Sequence, residues 1–341
     1  MIDFPIPFSG AIFVTGPKSV GKTTLCITVT DPKRICVLDY DNSAQGFHDQ
    51  LGFGRYHNML AESGSGVITS GVEVYKYTMA VIGGLKKGQY DAIVVDNIIP
   101  IEAALSAHID TYPSQYGLTA GQMQKMAGLK WGPFKASYRS LLSSLLEVSQ
   151  LVFVTAHLKQ PWAGSQPVPG LYVPRGNEVL REACSLGLWL QPGIVPSALV
   201  LYSRLTKFTL TNGRPKPTRV LPPRMPEATW DSIHAYMSTP YDPMHPKPGE
   251  VPNAEEMHKL RGTVSREQMD FMNMAMREAV VKGNGNDEEP PMKEVVSVSL
   301  SDFVSVVMNA GADMGKAMET LGVKAITEIR DYGEALEKLG L

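Results

Sequence analysis

Residues 16–24 read Gly-Pro-Lys-Ser-Val-Gly-Lys-Thr-Thr, a spacing of glycines, cation and hydroxyls that suits the holding of a phosphate chain. Gly16 and Gly21 let the backbone turn so that N–H groups converge on phosphate oxygens where a helix begins. Pro17, Lys18, Ser19 and Val20 form the loop between them. Lys22 supplies a compact cation for the β- and γ-phosphates, the Thr23 hydroxyl can ligate Mg²⁺, and Thr24 completes the pattern. The G-x-x-x-x-G-K-T signature carries this meaning only between a strand and a helix. Here an apolar run (11–14) precedes it and a helix-compatible run (24–30) follows. The expected ligands are a nucleoside triphosphate and Mg²⁺.

Hydrolysis needs more than a cradle: a carboxylate for the metal and a base to orient the attacking water. Asp96, which closes the apolar run 92–95, has the position and type for the metal-linked carboxylate. Asp41 is the candidate base. Its rival is Asp39, on the same face of an extended strand, and one of the two can simply cap the following helix. His157, at the end of another apolar run, is placed to hydrogen-bond the γ-phosphate and register its loss. The alternative is a satisfied histidine at a strand end.

These residues need elements to bring them together. The runs 34–38, 91–95 and 151–155 read as buried strands alternating with helical patterns at 72–87, 98–108 and 134–149. The alternation predicts an α/β fold, a mainly parallel sheet flanked by helices. In such sheets ligands sit at the carboxyl ends of the strands, so the phosphate loop, Asp41, Asp96 and His157 are expected at one crevice. Further strands are expected at 183–190, 198–205 and 207–211, with a hairpin turn at 212–213. Three segments are expected: a core over 1–240, a proline-rich connector, helix and acidic linker over 241–292, and a small helical module over 293–341.

A 43% hydrophobic content and a net charge of −2 describe a globular chain without a general basic coat. Cys26, Cys36 and Cys184 form no CxxC and read as reduced thiols. Neither a signal-peptide pattern nor a run of about 18 apolar residues is seen, so a soluble cytoplasmic protein without membrane contact is expected.

The order GPKSVGKT, VLDYD, IVVDN, VFVTAH resembles the RecA-like P-loop ATPase core. More narrowly it is similar to the phage-encoded Sak-type recombinase ATPases, described as a P-loop AAA domain. The resemblance covers about residues 8–237 and implies a DNA-stimulated ATPase acting in recombination or repair. It puts the catalytic acid at Asp41, an aspartate where RecA uses a glutamate, and puts His157 where RecA has a glutamine sensor. It also implies homo-oligomers in which a basic residue of a neighbouring subunit completes the ATP site, a role open to Arg204 or Lys207.

RecA-like cores hold single-stranded DNA in the loops after their third and fourth strands, here 111–133 and 159–178. Both mix cations (Lys125, Lys130; Lys159, Arg175) with aromatics (Tyr112, Tyr116, Trp131; Trp162, Tyr172), which suits backbone phosphates and stacked bases. Between 159 and 224 there are nine Lys/Arg against two acids, whereas 285–341 has five against eleven. The basic middle favours a nucleic-acid backbone and the acidic module a protein partner. Two functions therefore stand: an ATPase acting on single-stranded DNA, or an ATP-dependent switch or loader that recruits a protein without strand exchange.

Overall fold

β-Branched and aliphatic runs fold into strands here, and the stretches between them carry helical spacing. The computed structural model describes residues 10–64, 71–119, 127–163, 166–167, 172–176, 178–211, 214–243 and 245–260, with scattered helical positions beyond. In chain order come β1 (Gly10–Gly16), α1 (Lys22–Ile27), β2 (Ile35–Asp39), α2 (Gln45–Leu51), β3 (Arg55–Asn58) and α3 (Met59–Glu62). Next are α4 (Gly71–Gly84), β4 (Ala92–Asp96), α5 (Ile99–Thr111), α6 (Trp131–Val148) and β5 (Leu151–Lys159). Short strands β6 (Trp162–Ala163), β7 (Gln166–Pro167) and β8 (Val173–Pro174) lead to α7 (Glu178–Ala183) and β9 (Cys184–Gln191). The remainder is β10 (Ser197–Ser203), β11 (Thr206–Thr211), β12 (Arg214–Arg219), β13 (Arg224–Met225), α8 (Trp230–Ser238) and α9 (Ala254–Leu260).

The main sheet has the order β13-β10-β9-β1-β5-β4-β2-β3. Neighbours from β9 to β3 are parallel, and β10 and β13 add an antiparallel edge. This is the mainly parallel, helix-flanked sheet that the sequence predicts, and β5 lies between the phosphate-loop strand β1 and the acid-tipped strand β4. The register sets Gly16 opposite His157 and Asp39 opposite Asp96. The carboxyl ends of β1, β5, β4 and β2 therefore share one edge.

Alternation along the strands divides the core between two faces. Phe13, Leu38 and Val95 meet Ile101, Leu105, Tyr138 and Leu145 on the α5–α6 side. Ile12, Val14, Val37 and Phe153 meet Leu25 of α1 and Trp230 of α8 on the other. Each such buried side chain contributes on the order of 1.5–3 kcal/mol. Trp230 also donates its indole N–H to the Leu25 carbonyl at 2.8 Å, tying α1 to α8.

β3 escapes the sequence pattern because Arg-Tyr-His-Asn contains no apolar run; it is an edge strand whose side chains are mostly polar. The proline-rich stretch after residue 240 is bonded to the sheet rather than loosely strung: Tyr241 N–H donates to Val220 O and Arg224 N–H to Glu250 O. β11 and β12 pair with Thr211 opposite Arg214, and the turn at 212–213 lies outside the described residues. The chain divides into two units, residues 1–283 and 284–341; in the second, positions 319–321, 335 and 338–339 are helical. Among the described residues, no helix is long and apolar enough to cross a membrane.

Candidate nucleotide site

The loop from β1 into α1 depends on its two glycines. Gly16 has φ 152°, and a Cβ there would stand 2.7 Å from the Leu190 carbonyl oxygen. Gly21 caps α1 with φ 93°, a left-handed conformation that costs most other residues free energy. Ser19 also lies at positive φ, and Val20 is buried. Lys22 is 6% exposed, its Nζ donating to Pro17 O at 2.7 Å and Gly16 O at 3.2 Å. Burial pushes its amine below the ordinary value, an effect offset in part by the Asp96 and Asp41 carboxylates.

Asp96 is the hub. Its Oδ2 accepts from the Thr23 hydroxyl at 2.5 Å and the Ser43 hydroxyl at 2.8 Å, and its Oδ1 accepts from Thr155. Hydroxyl and carboxylate oxygens together are the donor set a hard cation takes, and Mg²⁺ draws its remaining ligands from phosphate and water. Among the described residues, no group of three or more His, Cys, Asp or Glu forms a metal cage, so Thr23 and Asp96 are the fitting pair.

The two rival aspartates separate clearly. Asp39 is fully buried; it accepts the N–H groups of Asp41 (3.1 Å), Ser43 (3.2 Å) and Ala44 (2.9 Å) and the Tyr56 hydroxyl (2.9 Å), so it closes the turn after β2. Asp41 is solvent-accessible and lines a cleft of about 820 Å³ with Lys18, Lys22, Thr23, Thr24, Phe47, Asp96 and His157. Its Oδ2 accepts from the Asn97 amide at 2.7 Å and lies 3.3 Å from His157 Nε2, while its Oδ1 accepts the Ser43 N–H. The Nδ1 of His157 is buried with no partner among the described residues.

A protein-family profile described as "AAA domain" matches residues 10–181, half of the chain and the whole of this cleft. The chain belongs to the AAA-domain family. It is a P-loop NTPase, the class for which loop, metal carboxylate and cleft are built. No functionally curated protein matches it in sequence. Among solved structures, the crystal structure of the RadB recombinase is similar at 16% identity, covering 60% of this chain and 90% of that one, with a TM-score of 0.33. A likeness of that size bears on neither activity nor partner.

Burial of Asp41 would raise its carboxyl, but hydrogen bonds from Ser43, Asn97 and His157 outweigh it and hold the group below the ordinary 3.8. A carboxyl depressed in the folded state adds stability that is fully present above its unfolded value of 3.8 and is lost below it, as pH falls through the lower folded-state value. The AAA-domain protein and its Asp41→Asn variant should accordingly differ in urea midpoint at neutral pH and converge on acidification. A gap that widens toward acid overturns the assignment.

The other expected residues fall in three places. Trp131, Lys159 and Arg175 line a second groove of about 340 Å³ with Ile99, Glu102, Ser106 and Phe134. Trp131 is 47% exposed at the start of α6, and the exposed Tyr172 lies just before β8. Lys130 is committed elsewhere, its Nζ 3.2 Å from Asp110 and 5.7 Å from the Trp131 ring centre. Lys125 lies outside the described residues, as does the Trp162 side chain in β6. Arg204, just past β10, donates from its guanidinium to Glu182 O and from its N–H to Ser185 O. That is the opposite end of β9 from the phosphate loop, so Arg204 is remote from the site of its own chain, and Lys207 follows on β11.

Ser43, Asn97, Thr155 and Phe47 are site residues the sequence did not single out. Ser43 and Asn97 each stand within two positions of a singled-out aspartate, and that proximity was the available signal.

Proposed function

We propose that this AAA-domain protein binds ATP with Mg²⁺, hydrolyses it, and acts on single-stranded DNA as an oligomer in phage or mobile-element recombination or repair. The observation that carries the reading is the meeting of Lys22, Thr23, Asp96 and Asp41 at one cleft. Thr23 and Asp96 would hold the metal, which when bound neutralises charge on the β- and γ-phosphate oxygens. Lys22 binds those phosphates, and Asp41 orients and deprotonates the attacking water. His157, beside Asp41, is the residue to register loss of the γ-phosphate. Since Arg204 stands at the opposite end of β9 from its own site, its service would be to a neighbouring subunit, a role also open to Lys207.

The groove supports the DNA part. An exposed tryptophan with two cations, brought from separate stretches of chain, offers a ring for a base and charge for phosphates. Stacking on such a ring contributes about 1–3 kcal/mol per base. Trp131→Ala should therefore weaken oligo-dT binding roughly 10- to 100-fold and leave DNA-free turnover unchanged; Arg175→Ala should weaken it with a shallower salt dependence.

Turnover with and without oligo-dT, at low and high salt, tests the whole. Stimulation that fades with salt is expected. Turnover indifferent to DNA would instead favour a switch that recruits a protein through the acidic unit 284–341.

A further inference from the structure

We infer that Asn97 is a positioning residue for ATP hydrolysis: one end of its amide holds the Asp41 carboxylate and the other anchors the start of α5. The inference rests on the reading of Asp41 as the base and adds the group that fixes that base in place.

Asn97 follows the metal-site carboxylate directly and is 4% exposed. Its Nδ2 donates to Asp41 Oδ2 at 2.7 Å, and its Oδ1 accepts the N–H of Ile99, the first residue of α5, at 3.0 Å. Flipping the amide would face oxygen with carboxylate and NH₂ with N–H, so the two contacts fix its orientation together. The backbone beside it is pinned as well: Ile98 N–H donates to Thr155 O at 3.0 Å, and Tyr40 N–H donates to Asp96 O at 2.6 Å. Asn97 is therefore a fixed post on the neighbouring strand's end.

Asp41 is not fixed by its own element. It lies past the end of β2, followed by Asn42 at φ 60°, and nothing regular limits its side-chain torsions. The Ser43 N–H holds Oδ1, and Asn97 with His157 holds Oδ2. A carboxylate offers about four acceptor sites. Three donors leave about one for water, enough for a base and too few for free rotation. An amide does this without a charge, so it orients the carboxylate and spares its basicity more than lysine or arginine would. Misplacing a catalytic group by about 1 Å can cost on the order of 100-fold in rate.

Holding and capping can be separated. Asn97→Ser retains an oxygen able to cap α5 and is too short to reach Asp41. We expect kcat to fall at least roughly tenfold, part of the 10²–10⁴ that a general base supplies, with KM for ATP and thermal midpoint close to wild type. Asn97→Asp, which keeps size and cap but sets a like charge against Asp41, should lose at least as much and serves if the serine variant does not fold. In an Asp41→Asn background, Asn97→Ser should cost nothing further. Wild-type kcat in Asn97→Ser or Asn97→Asp overturns the inference, as does a loss that simply follows stability. Should Asp41→Asn itself keep wild-type kcat, the base assignment fails; a dead Asp41→Asn beside a fully active Asn97→Ser refutes only the positioning role.

Discussion

Lys22→Ala is expected to lose ATP binding at concentrations that saturate the wild type, and to lose turnover by at least about 100-fold. The ammonium has no easy replacement. It is almost wholly buried, it bonds two loop carbonyls, and both cleft carboxylates act on it. A triphosphate entering that cleft brings further negative charge beside Asp41 and Asp96. Without Lys22 the loop N–H groups alone must offset that charge. Lys22→Arg is no substitute, because the guanidinium is a broad planar fork where the loop carbonyls enclose a compact point donor. Calorimetric titration with ATP and Mg²⁺ reads the binding and phosphate release reads the rate. Turnover within tenfold of wild type would remove the cleft from consideration as the hydrolytic site.

The phosphate loop was legible because its function constrains residue type at fixed spacing, and Gly16 and Gly21 show why: one has a backbone oxygen where a Cβ would go, the other a left-handed φ. Asp96 and His157 were legible because an apolar run that stops at a polar residue marks a strand end, and parallel strands bring their carboxyl ends to a common edge. The choice between Asp39 and Asp41 was not legible. Both follow the same run two positions apart, and only the turn shows that Asp39 faces inward to backbone N–H groups while Asp41 reaches the cleft. Asn97 and Ser43 stayed hidden for a related reason: their partners lie 56 and 53 residues away, and small polar residues beside an aspartate usually belong to a turn. The groove has the same character, since the sequence names its residues but only the crossing of α5, α6 and β5 brings Trp131, Lys159 and Arg175 to one place. β3 was missed because an edge strand does not need apolar residues on both faces.

Asp41→Asn and Asp39→Asn, the same change two residues apart, are expected to fail in opposite ways. Asparagine at 41 keeps the shape of the side chain and an oxygen for the Ser43 N–H. It loses the charge that accepts a proton from water, so kcat falls by about 10²–10⁴ while ATP affinity is kept. Stability falls only modestly at neutral pH, by the gap that closes on acidification, because the group is partly solvent-accessible and water replaces much of what is lost. At 39 the carboxylate is fully buried and accepts from four donors, three backbone N–H groups and Tyr56. An amide has a single acceptor oxygen with about two lone pairs, so one or two of those donors are stranded. Each costs on the order of 1–3 kcal/mol when buried, giving a loss of roughly 1–6 kcal/mol and a lower urea midpoint. Turnover per folded molecule should survive wherever the turn still forms. Urea denaturation and single-turnover hydrolysis, run on both variants, separate the roles: a stable, inactive Asp41→Asn beside an unstable, active Asp39→Asn is the expected pair. The reverse pair would move the base into the turn, where no space for the attacking water is left.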